Sequence, residues 1–350
     1  MISKRSLAAT MLAVAGMTAT AAVAGNAPAA AAPATNANAA VVHQSTQTPS
    51  QVAAYWTTAR MLSAREAPVP QQRATANAAA PQQTHKLGTK SAQGSLPTIK
   101  VKTSVTPQTV VPAATLSRSA VWTNHKVMPG TTVGKLYFTT ASGNAECTAS
   151  VINSNNHSMI WTAGHCTNDG NGHWYSNFQF VPGYYNGVKP LGSWVWKSAS
   201  TASSYLNGAN SDYDFAAITL WPTNGVKVAD RTGWQGYTFN GGYNWNAYEF
   251  GYPYDTHPAR AGITGQQLRY CIGTTWRPGF WPFQPGQEAI HCDQGHGASG
   301  GPWLSDLQLA RGWGYLVGNV SYHPSDSSDE ERSPHFGDAA VNVWNAQTNM

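Results

Sequence analysis

The sequence predicts an all-β domain over residues 120–350, and three observations lead to it. After about residue 130, short runs of β-branched and aromatic residues alternate with Gly, Asn, Pro and Ser, the pattern of strands joined by turns. Strong helical periodicity is nearly absent until a short C-terminal helix predicted over 338–348. The composition also changes near residue 119, from Ala, Pro, Thr and Gln to this strand-forming mixture. A sandwich or barrels would fit such a domain.

Eight segments of this domain carry the strand pattern. They are Val133 to Thr140, Cys147 to Asn153, Ser158 to Thr162, Phe178 to Pro182, Phe215 to Leu220, Asn246 to Tyr252, Gln267 to Ile272 and Tyr315 to Tyr322.

The chain begins with the three parts of a secretory signal peptide. Lys4 and Arg5 precede an apolar run over 7–23, and small residues follow up to Ala24. Threonines and alanines dilute the run, so an uncleaved membrane anchor is the less favoured alternative. We predict a signal peptide at 1–24 and a secreted, extracellular protein that does not contact a membrane after its removal.

Residues 25–119 hold few aromatics, and the segment is predicted to be largely disordered, with a short helix possible around Gln51 to Arg65. Such a composition buries too little apolar surface to offset the entropy lost on ordering. A pro-segment removed during maturation is favoured over a simple linker, which would make the full chain a zymogen. Removal is expected between Arg118 and Lys126.

The positive charge belongs to the N-terminal third. Residues 1–118 carry ten Lys/Arg and one acidic residue, whereas residues 119–350 carry eleven Lys/Arg and fifteen Asp/Glu. The domain therefore offers no basic face for nucleic acid, and no nucleic-acid partner is expected.

Four cysteines lie in the domain, and an even count in an exported chain suggests two disulfides. Three pairings are possible. We predict nearest-neighbour pairing, Cys147 with Cys166 and Cys271 with Cys292, and closing each loop removes roughly 3 kcal/mol of unfolded-state entropy. A zinc site is disfavoured because neither Cys-x-x-Cys nor His-x-x-x-His occurs, and no cofactor or metal is expected.

The stretch 295–303, Gly-His-Gly-Ala-Ser-Gly-Gly-Pro-Trp, places Ser299 on a glycine-rich turn that suits an exposed nucleophile. The backbone N–H groups of Gly297 and Ser299 could point at one spot and form an oxyanion hole. A glycine-rich turn with an incidental serine is the alternative.

A serine nucleophile needs a base within hydrogen-bond reach, and the base needs an orienting partner. His165 is the candidate base, because it follows a predicted strand and adjoins Cys166, whose disulfide would hold the ring in place. Asp214 directly precedes an apolar strand, where a carboxylate can be buried against an imidazole. Asp212 is the rival, and it lacks the immediate strand.

Together these blocks resemble the signature blocks of the chymotrypsin/trypsin-like serine endopeptidases. The blocks 162–166 (Thr-Ala-Gly-His-Cys), 214–216 (Asp-Phe-Ala) and 297–302 (Gly-Ala-Ser-Gly-Gly-Pro) follow the order of that family. The small disulfide set and 251–253 (Gly-Tyr-Pro) are more similar to the bacterial glutamyl-endopeptidase-like branch. The match covers roughly residues 130–345.

The resemblance implies two packed antiparallel Greek-key β-barrels, over about 130–230 and about 231–350, with the site in the cleft between them. It implies hydrolysis of protein or peptide substrates through an acyl-enzyme. In that reaction Ser299 attacks, His165 transfers the proton and Asp214 orients the histidine. A monomer is expected.

One departure concerns activation. The trypsin-like pattern has aspartate before the nucleophile, where it pairs with the new N-terminal ammonium after zymogen cleavage, and here Ala298 stands in that place. Activation by this ion pair is not expected. Control by a pro-segment that occupies or displaces the site is the hypothesis that follows.

Substrate preference is left open between two pockets. Asp293, six residues before Ser299, lies where trypsin-like enzymes place the pocket floor, and it would favour Lys or Arg. Ser321, Tyr322 and His323 follow the strand expected to form a pocket wall, and His323 would instead favour an acidic side chain. A broad or apolar preference is a third alternative.

Two other functions remain as alternatives. A non-catalytic secreted protein on a protease-like scaffold would bind glycans or cell wall through its tryptophans, thirteen of which lie in the domain. A serine esterase on the same barrels is the other. The intact His, Asp and Ser favour an enzyme over the binding protein.

Overall fold

The computed structural model describes residues 36–70, 85–99, 115–279, 286–325 and 327–350. The predicted signal peptide lies outside these residues. Within them, none of the helices has the length and apolarity that crossing a membrane requires.

The described residues form seventeen strands and five α-helices. The strands are β1 (Ala40–Gln44), β2 (Arg65–Glu66), β3 (Lys90–Ala92), β4 (Leu116–Val121), β5 (Val133–Thr140), β6 (Gly143–Val151), β7 (Met159–Thr162), β8 (Ser176–Pro182), β9 (Trp194–Ala202), β10 (Ala216–Leu220), β11 (Gly236–Phe239), β12 (Asn246–Gly251), β13 (Arg269–Thr274), β14 (Gln287–His291), β15 (Pro302–Gln308), β16 (Trp313–Asn319) and β17 (Glu330–Pro334). The helices are α1 (Pro49–Tyr55), α2 (Thr58–Ser63), α3 (Ser203–Leu206), α4 (Val228–Thr232) and α5 (Asp338–Gln347).

The first sheet closes into a six-stranded antiparallel barrel. Its strands follow the order β9-β10-β7-β6-β5-β8, and β8 pairs again with β9 to complete the ring. The β5–β6 hairpin has a two-residue loop, and Gly143 takes the positive φ of +121° at its end. A closed barrel leaves none of these six strands as a free edge.

The second sheet has seven strands in the order β3-β11-β16-β15-β12-β13-β4, and β14 and β17 form a separate antiparallel ribbon. Its only parallel pair in the described chain is β11 with β16. With the C-terminal helix α5, which packs on β9 and β10 of the first barrel, this arrangement confirms the predicted two-barrel, all-β fold.

One apolar core connects the two sheets. Trp161 on β7 is fully buried, and its ring lies 5.7 Å from Phe215, 5.3 Å from Phe239 on β11 and 5.4 Å from Phe336. Aromatic rings at this spacing contribute favourable contacts beyond the area that they bury. The end of β7, where His165 follows, is therefore held against both halves of the domain.

All eight predicted strands are present, with ends shifted by at most a few residues, and both predicted disulfides form. Cys147 is bonded to Cys166, and Cys271 to Cys292. The sequence pattern missed β9, because its last six residues (Lys-Ser-Ala-Ser-Thr-Ala) include a single strand-forming residue, Thr201. Pairing with β10 on one side and β1 on the other stabilises them.

The structure corrects the prediction of disorder for residues 36–70 and 85–99. Strand β1 extends the first sheet on β9, and β3 extends the second sheet on β11. Val52 of α1, Met61 of α2 and Trp56, which caps the C-terminus of α1, are buried in the main core. The prediction failed because these few apolar residues complete a core that the domain supplies, and so they need no core of their own.

The helix suggested around Gln51 to Arg65 is present as α1 and α2. Thr48 caps α1 by accepting the Gln51 N–H, while the Gln51 side chain accepts the Thr48 N–H, a complete capping box. Strand β4 crosses the predicted boundary at residue 119 and pairs with β13.

Candidate active site

His165 lies in a single 3₁₀ turn, Gly164–Cys166, directly after β7. The disulfide to Cys147 joins this turn to β6, so its position is fixed covalently as well as by packing. Glycine is needed at 164, because a Cβ there would lie 2.6 Å from the Tyr205 ring.

Asp214 contacts His165 from a turn just before β10. Its Oδ2 lies 2.8 Å from His165 Nδ1, and its Oδ1 accepts the His165 backbone N–H at 2.8 Å. Both side chains are almost completely buried, 0% exposed for the histidine and 2% for the aspartate. The carboxylate therefore fixes the ring and favours the tautomer with its proton on Nδ1.

Two more side chains hold Asp214 in place. Ser321 donates a short hydrogen bond from its Oγ to Asp214 Oδ2, and Asn319 donates from Nδ2 to the Asp214 carbonyl oxygen at 3.1 Å. Ser321 was predicted only as a pocket residue, and Asn319 was missed. The Ser321 hydroxyl stabilises the buried carboxylate, and Asn319 holds the backbone of the same residue, so both residues support the orientation of His165.

The rival aspartate takes a different position. Asp212 Oδ1 accepts a hydrogen bond from Gln287 Nε2 at 2.9 Å, and its Oδ2 accepts the Gly286 N–H at 3.2 Å. Asp214, and not Asp212, is thus the carboxylate that contacts His165.

The Ser299 turn packs on the segment that precedes His165. The Ser299 carbonyl oxygen accepts the Thr148 N–H at 2.8 Å, and the Gly300 N–H donates to Val320 O at 2.8 Å. Gly300 has a φ of +79°, and a Cβ there would lie 2.1 Å from the Thr162 hydroxyl. Only glycine permits this close approach, which brings the serine turn to the end of β7.

Among the described residues, His165 Nε2 has no hydrogen-bond partner, although it is buried. The bond between Ser299 Oγ and His165 Nε2 is therefore not formed in this structure. Hydrogen bonds of this kind are often long or misaligned until substrate binds. An unpaired buried acceptor costs free energy, which a donor hydroxyl at this position would recover.

The backbone at 297–299 leaves two amides available. Gly297 adopts a φ of +91°, and its carbonyl oxygen accepts the Thr148 hydroxyl at 3.0 Å. Within the described part of the chain, the N–H groups of Gly297 and Ser299 donate to no acceptor. The backbone therefore provides the donors that an oxyanion hole requires.

A cavity of about 540 Å³ opens beside Ser299. The domain residues that line it include the predicted pocket residues Ser321, Tyr322 and His323. Two residues of the N-terminal segment, Val69 and Pro70, also line it.

Asp293 does not line this cavity. It is 2% exposed, its Oδ2 lies 2.7 Å from an Arg260 guanidinium nitrogen, and its Oδ1 accepts the Ser119 N–H at 2.7 Å. With its charge neutralised by Arg260, Asp293 cannot act in this geometry as the predicted floor for a Lys or Arg side chain. Arg260 lies 33 positions before Asp293 in the chain, so no local pattern indicated this pairing.

His323 lines the cavity and is surrounded by acceptors. Its Nε2 lies 2.8 Å from Glu331 Oε2 and 2.5 Å from Gln294 O, and its Nδ1 lies 3.1 Å from Glu330 O. Burial lowers the pKa of His323, but the Glu331 carboxylate and these hydrogen bonds outweigh it and raise the pKa to about 9. The ring is therefore an imidazolium at neutral pH.

Two further histidines beside Ser299 were missed or left unassigned. His257 and His296 line the same cavity, and the His257 ring centroid lies 4.3 Å from that of His323. His296 is ion-paired with Glu66 of the N-terminal segment. The sequence feature that could have indicated this ion pair is Glu66 itself, because it is the single acidic residue in 1–118.

Solved structures of proteases are similar to this chain. The protease Anisep of Arthrobacter nicotinovorans is 31% identical with a TM-score of 0.57, and the match covers 63% of this chain and 96% of that one. A thermostable serine protease, AL20, from an extremophilic microorganism is 29% identical with a TM-score of 0.57, covering 63% and 98%. A Glu endopeptidase is 20% identical with a TM-score of 0.52, covering 66% and 97%, and shows likeness of fold alone. No protein-family model and no curated protein matches.

The two-barrel fold, with a His–Asp pair beside a glycine-rich serine turn, defines a serine protease of the chymotrypsin class. The chain belongs to the chymotrypsin-like serine endopeptidases. The resemblance inferred from the three sequence blocks is thereby confirmed, and a protease function is supported.

The His323–Glu331 pair predicts a pH-dependent stability. Because the pKa of His323 is raised in the folded state, its contribution to the free energy of unfolding is complete below the unfolded pKa and is lost as pH rises through about 9. Urea unfolding of the Ser299→Ala chain should therefore show a larger deficit for added His323→Gln at about pH 6 than at about pH 10. A deficit that is the same at both pH values would contradict this assignment.

Proposed function

We propose that this protein is a secreted serine endopeptidase that cleaves peptide bonds through an acyl-enzyme. The observation that carries the proposal is the buried His165–Asp214 pair, whose remaining ring nitrogen, Nε2, is an acceptor without a partner among the described residues. A buried imidazole in this tautomer is suited to take a proton from a hydroxyl. Ser299 supplies the hydroxyl from the turn that packs against the same segment.

The proposed reaction moves one proton in each half. The Ser299 hydroxyl proton passes to His165 Nε2 as Oγ attacks the peptide carbonyl carbon. The resulting oxyanion accepts hydrogen bonds from the backbone N–H groups of Gly297 and Ser299. The imidazolium then donates that proton to the departing amine, and the C–N bond breaks. Water repeats the sequence on the ester, releasing the acid and restoring Ser299. Asp214 stabilises the imidazolium throughout.

The first test compares the two aspartates. Asp214→Asn should lower kcat for peptide hydrolysis by about 10⁴-fold, because an amide at this position favours the wrong imidazole tautomer. Asp212→Asn is the matched control, since it alters a buried aspartate two residues away that does not contact His165, and it should retain most of the activity. Equal activity of the two variants, both folded by circular dichroism, would remove Asp214 from the mechanism.

We further propose that the residue before the cut bond is acidic. The titratable groups that line the cavity in the described chain are His257, His296, His323, Tyr322 and a single carboxylate, Glu331. His323 lines this cavity as an imidazolium paired with Glu331, and His257 and His296 add two more imidazoles to the lining, whereas the alternative selector, Asp293, is paired with Arg260 outside the cavity. A carboxylate side chain is therefore a better electrostatic fit than an ammonium or guanidinium.

Peptides that differ only at the residue before the cut bond test this preference. The processed enzyme should cleave after Glu with a kcat/KM at least about 100-fold above that for Lys, and His323→Gln should remove most of the difference. His291→Gln is the control, because His291 is exposed on β14 and does not line the cavity. Predominant cleavage after Lys or Arg would overturn the assignment of His323.

We also propose that the N-terminal segment inhibits the enzyme by occupying the cleft. Strand β2 pairs with β6, and Tyr254 donates a hydrogen bond from its OH to Ala64 O at 3.0 Å. The chain then continues to Val69 and Pro70, which line the same cavity as Ser299.

The composition of this segment suits an inhibitor. Pro68 and Pro70 have no N–H to donate, so the segment offers fewer backbone hydrogen bonds than an ordinary peptide substrate. Because Ala298 has no carboxylate, activation cannot use an ion pair between the residue before Ser299 and a new N-terminal ammonium. Release of the N-terminal segment would activate the enzyme without that ion pair. Inhibition by this segment agrees with the prediction from the sequence that the full chain is a zymogen, which becomes the secreted mature enzyme when the segment is removed.

Enlarging one buried residue of the segment tests its role. Ala67 is 4% exposed, and Ala67→Arg should expel the segment because a guanidinium cannot be accommodated there without a partner. The full-length chain carrying this change should hydrolyse a short peptide at least about 10-fold faster than the parent, if opening the cleft is limiting. Leu62→Arg, at a position 58% exposed on α2, is the control and should leave the hydrolysis rate of the full-length chain unchanged. Chain length is checked on a gel, and equal rates for parent and Ala67→Arg would contradict inhibition by this segment.

A further inference from the structure

A second cluster of chemically active side chains lies at the rim of the cleft, outside the His165–Asp214 pair. Asp255, His257 and His296 each offer one ligand atom, and these atoms all lie within 4.8 Å of one another. The other two such groups in the described chain contain disulfide-bonded cysteines, which are not available as ligands. This cluster has no part in the proposed acyl transfer.

The backbone holds the two loops of this cluster together. Tyr254 N–H donates to His296 O at 2.7 Å, and Gly295 N–H donates to Asp255 O at 3.2 Å. The His296 N–H also donates to Asp255 Oδ1 at 2.9 Å. These hydrogen bonds hold the backbones that carry Asp255 and His296 next to each other.

A fourth ligand comes from the N-terminal segment. Glu66 Oε2 contacts His296 Nδ1, so a carboxylate of β2 is already directed at the cluster. The side chains of His296 and Glu66 are 51% and 41% exposed, which leaves them room to rotate and leaves the site open to solvent.

The donor set matches zinc. Two imidazoles and one or two carboxylates are ligands that Zn²⁺ takes in a tetrahedron, whereas Ca²⁺ and Mg²⁺ prefer oxygen ligands alone. With metal–ligand bonds of about 2.0–2.2 Å, tetrahedral ligand atoms are about 3.4 Å apart. The cluster would therefore contract by about 1 Å, which rotation of the exposed His296 and Glu66 side chains can supply.

We propose that Asp255, His257 and His296 bind a zinc ion, and that Glu66 completes the tetrahedron in the unprocessed chain. The ion would fasten the N-terminal segment to the rim of the cleft. Because the open form keeps three of the four ligands, saturating zinc would reduce opening only by the ratio of the two affinities, about 10-fold if Glu66 contributes that factor. The role of the ion in holding the N-terminal segment closed rests on the proposed inhibition by that segment. Zinc binding at the site does not depend on that inhibition.

The test uses the full-length Ser299→Ala chain, which cannot process itself by the proposed route. Titration with ZnCl₂ in a calorimeter should give one zinc per chain, and CoCl₂ should give the visible absorption bands of a tetrahedral site. His257→Gln and His296→Gln should each weaken zinc binding by at least about 100-fold, and Glu66→Gln by about 10-fold. His173→Gln is the matched control, since His173 forms an exposed pair with Asp169 elsewhere, and it should bind zinc like the parent.

Thermal unfolding without metal checks that each variant is folded. Zinc binding by His257→Gln and His296→Gln with the parent's affinity would overturn the site. An unchanged zinc affinity in Glu66→Gln would show that Glu66 is not a ligand and that the ion does not hold the N-terminal segment to the cleft. Because binding is read without any catalytic step, a failure of the proposed protease mechanism would leave these results unaffected and would show separately in the Asp214→Asn comparison.

Discussion

The buried contact between His165 and Asp214 is the interaction on which the rest of the site depends. A carboxylate removed from water is tolerated only if donors surround it, and here the His165 ring and amide and the Ser321 hydroxyl are directed at the Asp214 carboxylate, while the Asn319 side-chain amide donates to the Asp214 backbone carbonyl oxygen. These donors come from the turn after β7 and from the end of β16. The contact between the two barrels is therefore also what positions the imidazole.

The N-terminal segment belongs to the folded protein rather than trailing from it. Residues 1–118 carry ten Lys/Arg and one acidic residue, whereas residues 119–350 carry more acidic than basic residues, and this opposite net charge favours association of the segment with the domain. Its one carboxylate, Glu66, is placed at the cleft rim against His296. A single segment thus adds β1 to the first sheet, adds β3 to the second and lies across the site between these additions.

Short sequence patterns predicted the structural features that neighbouring residues determine. Strand β5 was predicted with its observed ends because it is a short run rich in β-branched and aromatic residues, and nearest-neighbour cysteines paired as expected. What failed depends on distant partners. The burial of Trp56 needs a surface built by residues more than a hundred positions away, and the charge of Asp293 is cancelled by Arg260 from another loop. No window of sequence contains either relationship.

The most direct test of the account is to find which residue reacts as the nucleophile. The processed protein would be treated with a fluorophosphonate, digested, and its peptides sequenced by mass spectrometry. The account predicts a single covalent adduct on Ser299 that is absent when His165 is replaced by Ala. An adduct on another serine, or none on a folded and processed protein, would contradict it.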